Sequence, residues 1–210
     1  MKIKKTIFTL ALVCVIALGL LSATAMAASD ITSGGTFSTD TTIDLEGATV
    51  SVAKPIKVTG GKVIITNGTI DSSVTDLFEV SNGTLSLGEN LTVNCTSSGL
   101  YAHDGGTITI DGATVTGNGS DYAFAYATGT DSKINVVSGS LVKNGSNHVT
   151  LSVDNGASAN ISGGTVSNDG STAIVAKQSG TITVSGGEVK TTANYVAVYA
   201  VSNGKITVSG

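Results

Sequence analysis

Aliphatic residues alternate with small polar ones along most of this chain, in short bursts separated by glycine and asparagine rather than in long runs. The clearest burst is Gly180-Thr181-Ile182-Thr183-Val184-Ser185-Gly186-Gly187-Glu188-Val189-Lys190. It returns as Gly106-Thr107-Ile108-Thr109-Ile110-Asp111-Gly112-Ala113-Thr114-Val115-Thr116 and starts again at Gly204-Lys205-Ile206-Thr207-Val208. A spacing of two puts the aliphatic side chains on one face of a strand and the hydroxyls on the other. Such a unit has one apolar face and needs neighbouring copies to bury it.

Three apolar columns recur. The first strand of each copy supplies Ile43 and Leu45, Val63 and Ile65, Leu85 and Leu87, Ile108 and Ile110, Ile134 and Val136, Ala159 and Ile161, Ile182 and Val184, then Ile206 and Val208. After a turn, a shorter second strand supplies Val50, Ile70, Leu91, Val115, Leu141, Val166 and Val189. The third strand is expected to turn inward Ile56 and Val58, Phe78 and Val80, Leu100 and Ala102, Phe124 and Tyr126, Leu151 and Val153, Val175, then Tyr199 and Val201. Within Ala173-Ile174-Val175-Ala176-Lys177 both phases are open, because the opposite one buries Ile174 and Ala176 and frees Lys177. A one-residue slip flips every side chain of a strand.

First strands begin near residues 41, 61, 83, 106, 132, 157, 180 and 204, a period of about 20–26 residues. Helical periodicity is absent. The leucine-rich pattern, a strict six-residue repeat and the glycine-aspartate nonapeptide are absent too, which excludes the other common solenoids of short period. The pattern predicts an all-β protein: a right-handed parallel β-helix, or β-solenoid, of about seven full coils with three short strands each. The handedness is the default for parallel crossovers. Rungs about 4.8 Å apart give a rod of roughly 35 Å, and each buried aliphatic side chain contributes on the order of 1.5–3 kcal/mol.

The first residues follow another rule. Lys2, Lys4 and Lys5 precede an apolar run from Ile7 to Leu21, and small residues follow, ending in Ala25-Met26-Ala27. This reads as a signal peptide over 1–27, cleaved after Ala27, rather than a membrane anchor. The run falls short of the roughly 20 residues a span needs. Cys14, with Val13 before it and apolar residues beyond, does not read as a lipidation site. Residues 28–40, with Phe37, are expected to cap the rod, and 41–210 to form it. The last burst breaks off at Gly210, so the helix is expected to be truncated there and to continue end to end with further coils.

Composition narrows the partners. The chain has 11 basic residues, all lysine, against 15 acidic ones, and loss of the leader lysines leaves a net charge of about −7. An acidic surface without arginine argues against nucleic acid and against anionic lipid. With the leader removed, Cys95 is the one remaining cysteine, so no internal disulfide is available and stability must come from packing.

The units Gly106-to-Tyr126 and Gly180-to-Tyr199 resemble the repeats of right-handed parallel β-helix proteins on bacterial surfaces, adhesin-like proteins that belong structurally with the pectin-lyase-like group. The resemblance covers about residues 41–210. It implies the fold and leaves function open, since that group includes lyases, hydrolases, adhesins and passive stalks. Its pectate lyases use a basic residue beside calcium-binding aspartates. Its polygalacturonases use clustered aspartates with Gly-His-Gly and Arg-Ile-Lys motifs. This chain has no arginine, no Gly-His-Gly and no Asp-Asp pair, so no catalytic and no cofactor-binding residue is assigned.

Asp104, Asp131 and Asp154 fall in the corner before the first strand on three consecutive coils. If aligned, their carboxylates and nearby carbonyls would suit Ca²⁺; aspartate is also a routine turn residue. His103 and His148 have no partners at metal-ligand spacing, and Cys95 reads as an inert thiol. Asn82-Gly83, Asn144-Gly145, Asn155-Gly156 and Asn203-Gly204 mark corners that need positive φ. Paired threonines such as Thr107 and Thr109 would suit an ice-binding face, but Lys133, Asn135, Ser158, Asn160 and Lys205 break the array. Tyr101 and Tyr195 are candidates for stacking on sugars. The expected function is a secreted or cell-surface structural or adhesin-like module, with binding or spacer role, whose partners are extracellular glycans or a host or matrix surface. The alternative is a polysaccharide lyase or hydrolase, or its stalk.

Overall fold

The computed structural model describes residues 24–119, 122–145 and 148–209. The apolar run and Cys14 lie outside the described residues. Among the described residues no helix is long and apolar enough to cross a membrane.

The chain winds into a parallel β-solenoid of about seven turns. Among the described residues every strand pairing is parallel, and the strands collect into a 14-stranded and an 8-stranded sheet. The larger sheet joins the first and second strands of the coils, because in Thr107–Gly117 and Lys133–Lys143 the two run together through a bulge. Gly112 sits at that corner with φ 102°, a conformation open to glycine and strained for other residues. The smaller sheet holds the third strands, from Gly35–Phe37 through Leu100–His103, Ala123–Thr128 and Val149–Asp154 to Val198–Ala200.

The alternation read from the sequence is what the inward faces show. Ile108, Ile134, Ala159, Ile182 and Ile206 stand in one column, each paired with the next coil's member. Val115, Leu141, Val166 and Val189 form the second column. The segment 28–40 contains a short 3-10 turn, Ala28–Ile31, which buries Ile31, and the first strand of the smaller sheet, which seats Phe37 beside Val58. Thr24–Met26 pairs with Thr41–Ile43 at the same end.

Four register expectations need correction. In the first coil, Thr41 and Ile43, rather than Ile43 and Leu45, stand beside Val63 and Ile65. Leu45 is buried one step later, in the corner, where Gly68 has no side chain to compete with it. In the third coil Val93, not Leu91, joins Ile70 and Val115, while Leu91 is level with Gly68. In the fourth coil Ala125 and Ala127 face inward beside Leu100 and Ala102, and Tyr126 faces out. Phe124 is still buried, at the head of that strand, against Gly99 and Gly117. Its ring fills space that those two glycines leave, so small alanines complete the coil.

Of the last two third strands, the first settles the phase that the sequence leaves open, and the second takes the phase opposite to the one expected. Ile174 and Ala176 pair with Leu151 and Val153, so Val175 and Lys177 face out. Val198 and Ala200 continue that inward column, which turns Tyr199 out. The reason is common to these cases: a parallel ladder sets the phase of a short strand from its neighbours.

Corners are built from stacked polar residues. Asn67 and Asn90 both adopt φ 56°, and Asn90 Nδ2 donates to Asn67 Oδ1 at 3.2 Å. Asn82, Asn155 and Asn203 also have positive φ, while in Asn144-Gly145 the glycine takes it. Inside one corner the buried Asn168 amide donates to the carbonyls of His148 and Thr172 and to Thr150 Oγ1, which meets the requirement that buried polar groups be paired.

Candidate functional site

The register of the smaller sheet decides which side chains share its outer face. One outward column reads Lys57, Glu79, Tyr101, Tyr126, Ser152, Val175 and Tyr199, each paired with the next. Two residues further along the strands, Thr128 pairs with Asp154, with His103 and Lys177 at the corresponding ends of their own strands. Three tyrosines, a histidine and two ion pairs thus share the outer face of the smaller sheet.

Tyr101 and Tyr126, from adjacent coils, stack with ring centroids 5.8 Å apart and planes 5° from parallel. His103 stacks on Tyr101 from within the same strand, at 4.6 Å and 24°. Tyr126 Oη donates to Asp154 Oδ2 at 2.7 Å. Lys177 Nζ lies 3.2 Å from that same carboxylate oxygen and donates to Tyr122 Oη at 3.0 Å. The ammonium also sits 4.5 Å from the centroid of the Tyr122 ring, close enough for cation–π attraction. On the other side of the stacked tyrosines, Lys57 Nζ pairs with Glu79 Oε2 at 2.6 Å. His103 Nδ1 bonds Asp104 Oδ2 at 2.8 Å, and its Nε2 is 3.4 Å from Glu79 Oε1, an ion-pair distance without hydrogen-bond geometry.

Electrostatics follow from these contacts. Burial raises the phenol pKa of Tyr126, and the hydrogen bond to the Asp154 carboxylate raises it further. Burial also raises Tyr101, reinforced by the negative charges of Asp76, Asp104, Glu79 and Asp154. Burial opposes the charge on Lys177, but the bonds to Tyr122 and Asp154 outweigh it and hold the ammonium above its ordinary pKa. The Lys57 ammonium holds Glu79 below the usual carboxylate range. The face is therefore acidic in character, with Lys177 already matched to Asp154.

Among the described residues, three buried polar atoms of this cluster lack hydrogen-bond partners: His103 Nε2, Ser152 Oγ and Asp154 Oδ1. Ser152 faces outward between the inward Leu151 and Val153, yet it is 0% exposed and its Oγ makes no hydrogen bond among the described residues. Asp154 is 2% exposed, and while Oδ2 takes Tyr126 and Lys177, Oδ1 has no partner among the described residues. A buried polar atom without a partner carries a desolvation cost, and its persistence at a site calls for an explanation.

The three aspartates singled out for Ca²⁺ occupy different settings. Asp104 is an exposed corner residue with φ 48° bonded to His103, and Asp131 is exposed in its own turn with φ 68°. Asp154 is buried on a strand beside Tyr126 and Lys177. Among the described residues no three His, Cys, Asp or Glu side chains come together as metal ligands. Cys95 is fully buried and its thiol is pushed up to about 12 by that burial, so it is not a nucleophile at neutral pH. His148 lends its backbone carbonyl to Asn168. Tyr195 is exposed, on a different segment from the stacked pair.

Sequence reasoning placed Tyr126 indoors and so missed the stack. A usable signal was present. The dipeptides Tyr101-Ala102, Tyr126-Ala127 and Tyr199-Ala200 recur, and with Ala102 inward each tyrosine must face out. Comparison with protein-family models, with curated proteins and with solved structures returns no match, so the site is read from its own geometry.

Proposed function

We propose that this chain is a secreted or cell-surface β-helix module that works by display and binding rather than catalysis, as an adhesin-like or spacer element. The observation that supports this best is the contrast between an unbroken parallel core and an outer face of the smaller sheet that stacks aromatic rings beside two ion pairs. A rod of this kind holds side chains on adjacent coils at a fixed spacing of about 4.8 Å, which favours recognition of an extended partner. The leader-like first residues and the resemblance to bacterial surface repeats point the same way, and an arginine-free acidic chain favours a glycan or matrix surface over nucleic acid.

The second reading, a polysaccharide lyase or hydrolase of the pectin-lyase-like group, has one observation in its favour: the buried carboxylate of Asp154 beside a tyrosine and a lysine. Glycoside hydrolysis ordinarily needs a second carboxylate across the scissile bond, and the nearby Glu79 is engaged by Lys57. Incubation with polygalacturonate, alginate, xylan and β-glucan, with and without Ca²⁺, separates the readings. The expected result is no release of reducing ends or unsaturated products above a heat-killed control, together with antibody labelling of intact cells or recovery in the medium. Turnover on any of these polymers replaces the display reading with the enzymatic one.

A further inference from the structure

We infer that the rod associates head to tail with a second copy of this chain, the open rung Lys205–Val208 at its tail adding to the edge strand Thr41–Asp44 at the other copy's head. The inference rests on the display reading above for removal of the leader, residues 1–27.

The tail is open in the structure. Among the described residues Glu188–Thr191, Val198–Ala200 and Lys205–Val208 each pair on one side only, with the preceding coil. Val198 and Val208 stand in inward columns, yet they are 38% and 66% exposed. Lys205 N and Ser209 N donate back to the carbonyls of Gly180 and Val184. Backbone groups alternate in direction along a parallel strand, so the N–H groups of Ile206 and Val208 point away from the rod. Such an edge is a template for one more strand.

At the head, the matching place is held by the leader. Thr24, Ala25 and Met26 pair with Thr41, Thr42 and Ile43. Followed rung by rung, the column of Thr41 ends at Ile206 and that of Ile43 at Val208. A second copy's Ile206–Val208, set in the rod's own register, therefore takes the place of Thr24–Met26. The two strands cannot occupy it together, and cleavage after Ala27 vacates it. In the smaller sheet Gly35–Phe37 is the end strand at the head. The column of Gly35 ends at Val198 and that of Phe37 at Ala200. In both, a small residue of one copy meets a larger one of the other.

Charge selects this pairing over head to head. Residues 28–53 carry Asp30, Asp40, Asp44 and Glu46 and no basic residue. Residues 187–210 carry Lys190 and Lys205 against Glu188, and Glu188 already holds Lys190 at 2.7 Å. Lys205 stands in the column of Lys62, whose backbone N–H donates to Asp40 Oδ1 at 2.9 Å. The same register sets Lys205 of one copy over Asp40 of the other. Within the rod, Lys57 and Glu79 are paired across coils in this way and form an ion pair at 2.6 Å. Two heads would oppose acid to acid. A contact between two different surfaces does not close on itself, so it repeats into filaments.

The test is sedimentation velocity of the processed protein over a wide concentration range, with sequencing of its N-terminus. The expected result is an N-terminus at Ala28 and a mass that rises with concentration past the dimer and falls with added salt. The unprocessed full chain, in a mild detergent that leaves the processed protein associated, should stay monomeric. Val208→Pro removes an outward N–H from an edge strand, where proline is tolerated, and should weaken association by about tenfold or more. Lys205→Glu should weaken it by about fivefold, and mixing it with Asp40→Lys should restore pairing between the two variants. Thr109→Ala should change nothing, and a thermal melt of each variant separates loss of the contact from loss of the fold. If Val208→Pro does not fold, the charge-exchange pair decides. A monomer at every concentration, a dimer that grows no further, undiminished association by folded Val208→Pro or no rescue in the mixture overturns the inference. Natural protein whose chain runs past Gly210 into further coils overturns it too, since those coils would cover the same rung. A leader found uncleaved removes the display reading and this inference together; a processed, surface-displayed monomer removes this inference alone.

Discussion

On the larger sheet, Thr109, Asn135, Asn160 and Thr183 stand in one outward column; on the smaller one, Tyr101, Tyr126 and Ser152 do. The first column satisfies itself. Asn160 Nδ2 donates to Asn135 Oδ1 at 3.1 Å, and Asn135 Nδ2 to Thr109 Oγ1 at 3.4 Å, so the polar groups form a ladder along the rod. The second column stacks its rings but, among the described residues, leaves Ser152 Oγ and the neighbouring Asp154 Oδ1 without partners. Behind both faces the inward residues join one continuous apolar core. The difference shows that the core and the outer faces are separable. Burial constrains each inward position to an apolar side chain, while an outward one is free to serve recognition at little cost to the fold.

The comparison is most easily broken through the core. Val115→Asp places an uncompensated charge in a fully buried column and should cost at least about 3 kcal/mol. A denaturant melt should show loss of cooperative unfolding or a large drop in midpoint. A native-like melt would refute the inward assignment. Gly117→Ala is next, because an added methyl meets the Phe124 ring, and overpacking of this kind costs about 1–3 kcal/mol. The paired variant Gly117→Ala/Phe124→Leu should recover part of that loss.

Two variants probe the second face alone. Tyr126→Phe removes a donor from the buried Asp154 carboxylate and should lower stability by about 1–2 kcal/mol, measured by thermal unfolding at neutral pH. Glu79→Gln has a smaller effect, below about 1 kcal/mol, because its pair with Lys57 is partly exposed. Its pH dependence has a definite sign. Lys57 lowers the folded pKa of Glu79, so the pair's contribution is present above the ordinary carboxylate pKa and is lost as pH falls through the folded value. The stability gap between wild type and Glu79→Gln should accordingly close in acid. Thr109→Asp, on the first face, should lie within about 0.5 kcal/mol of wild type at any of these conditions. A larger loss there would mean that the outward ladder contributes to the fold as the core does.

Much of this was legible before any coordinates. Ile182, Val184 and Val189 announced two inward columns through their spacing, and the flanking glycines announced the corners. The third strand was harder, and the reason is physical. Alanine and tyrosine both pass for inward residues by hydropathy, so Ala123-Phe124-Ala125-Tyr126-Ala127 supports either phase when read locally. Its neighbours decide: pairing with Leu100 and Leu151 sets Ala125 inward. Leu45 and Leu91 were misplaced by the opposite error, since each is buried as expected but in a corner next to or level with Gly68, where an absent side chain makes room.

By itself the sequence determined the period, the parallel stacking that the period demands, the acidic arginine-free surface and most inward positions, because burial of one aliphatic face per strand leaves few alternatives. Only the tertiary structure decided which polar and aromatic residues meet outside. Tyr122 and Lys177 are 55 residues apart in the chain and joined at 3.0 Å, and no local pattern encodes that distance. Neighbour-imposed register does, since each coil returns a chosen strand to the same face one rung further along the rod.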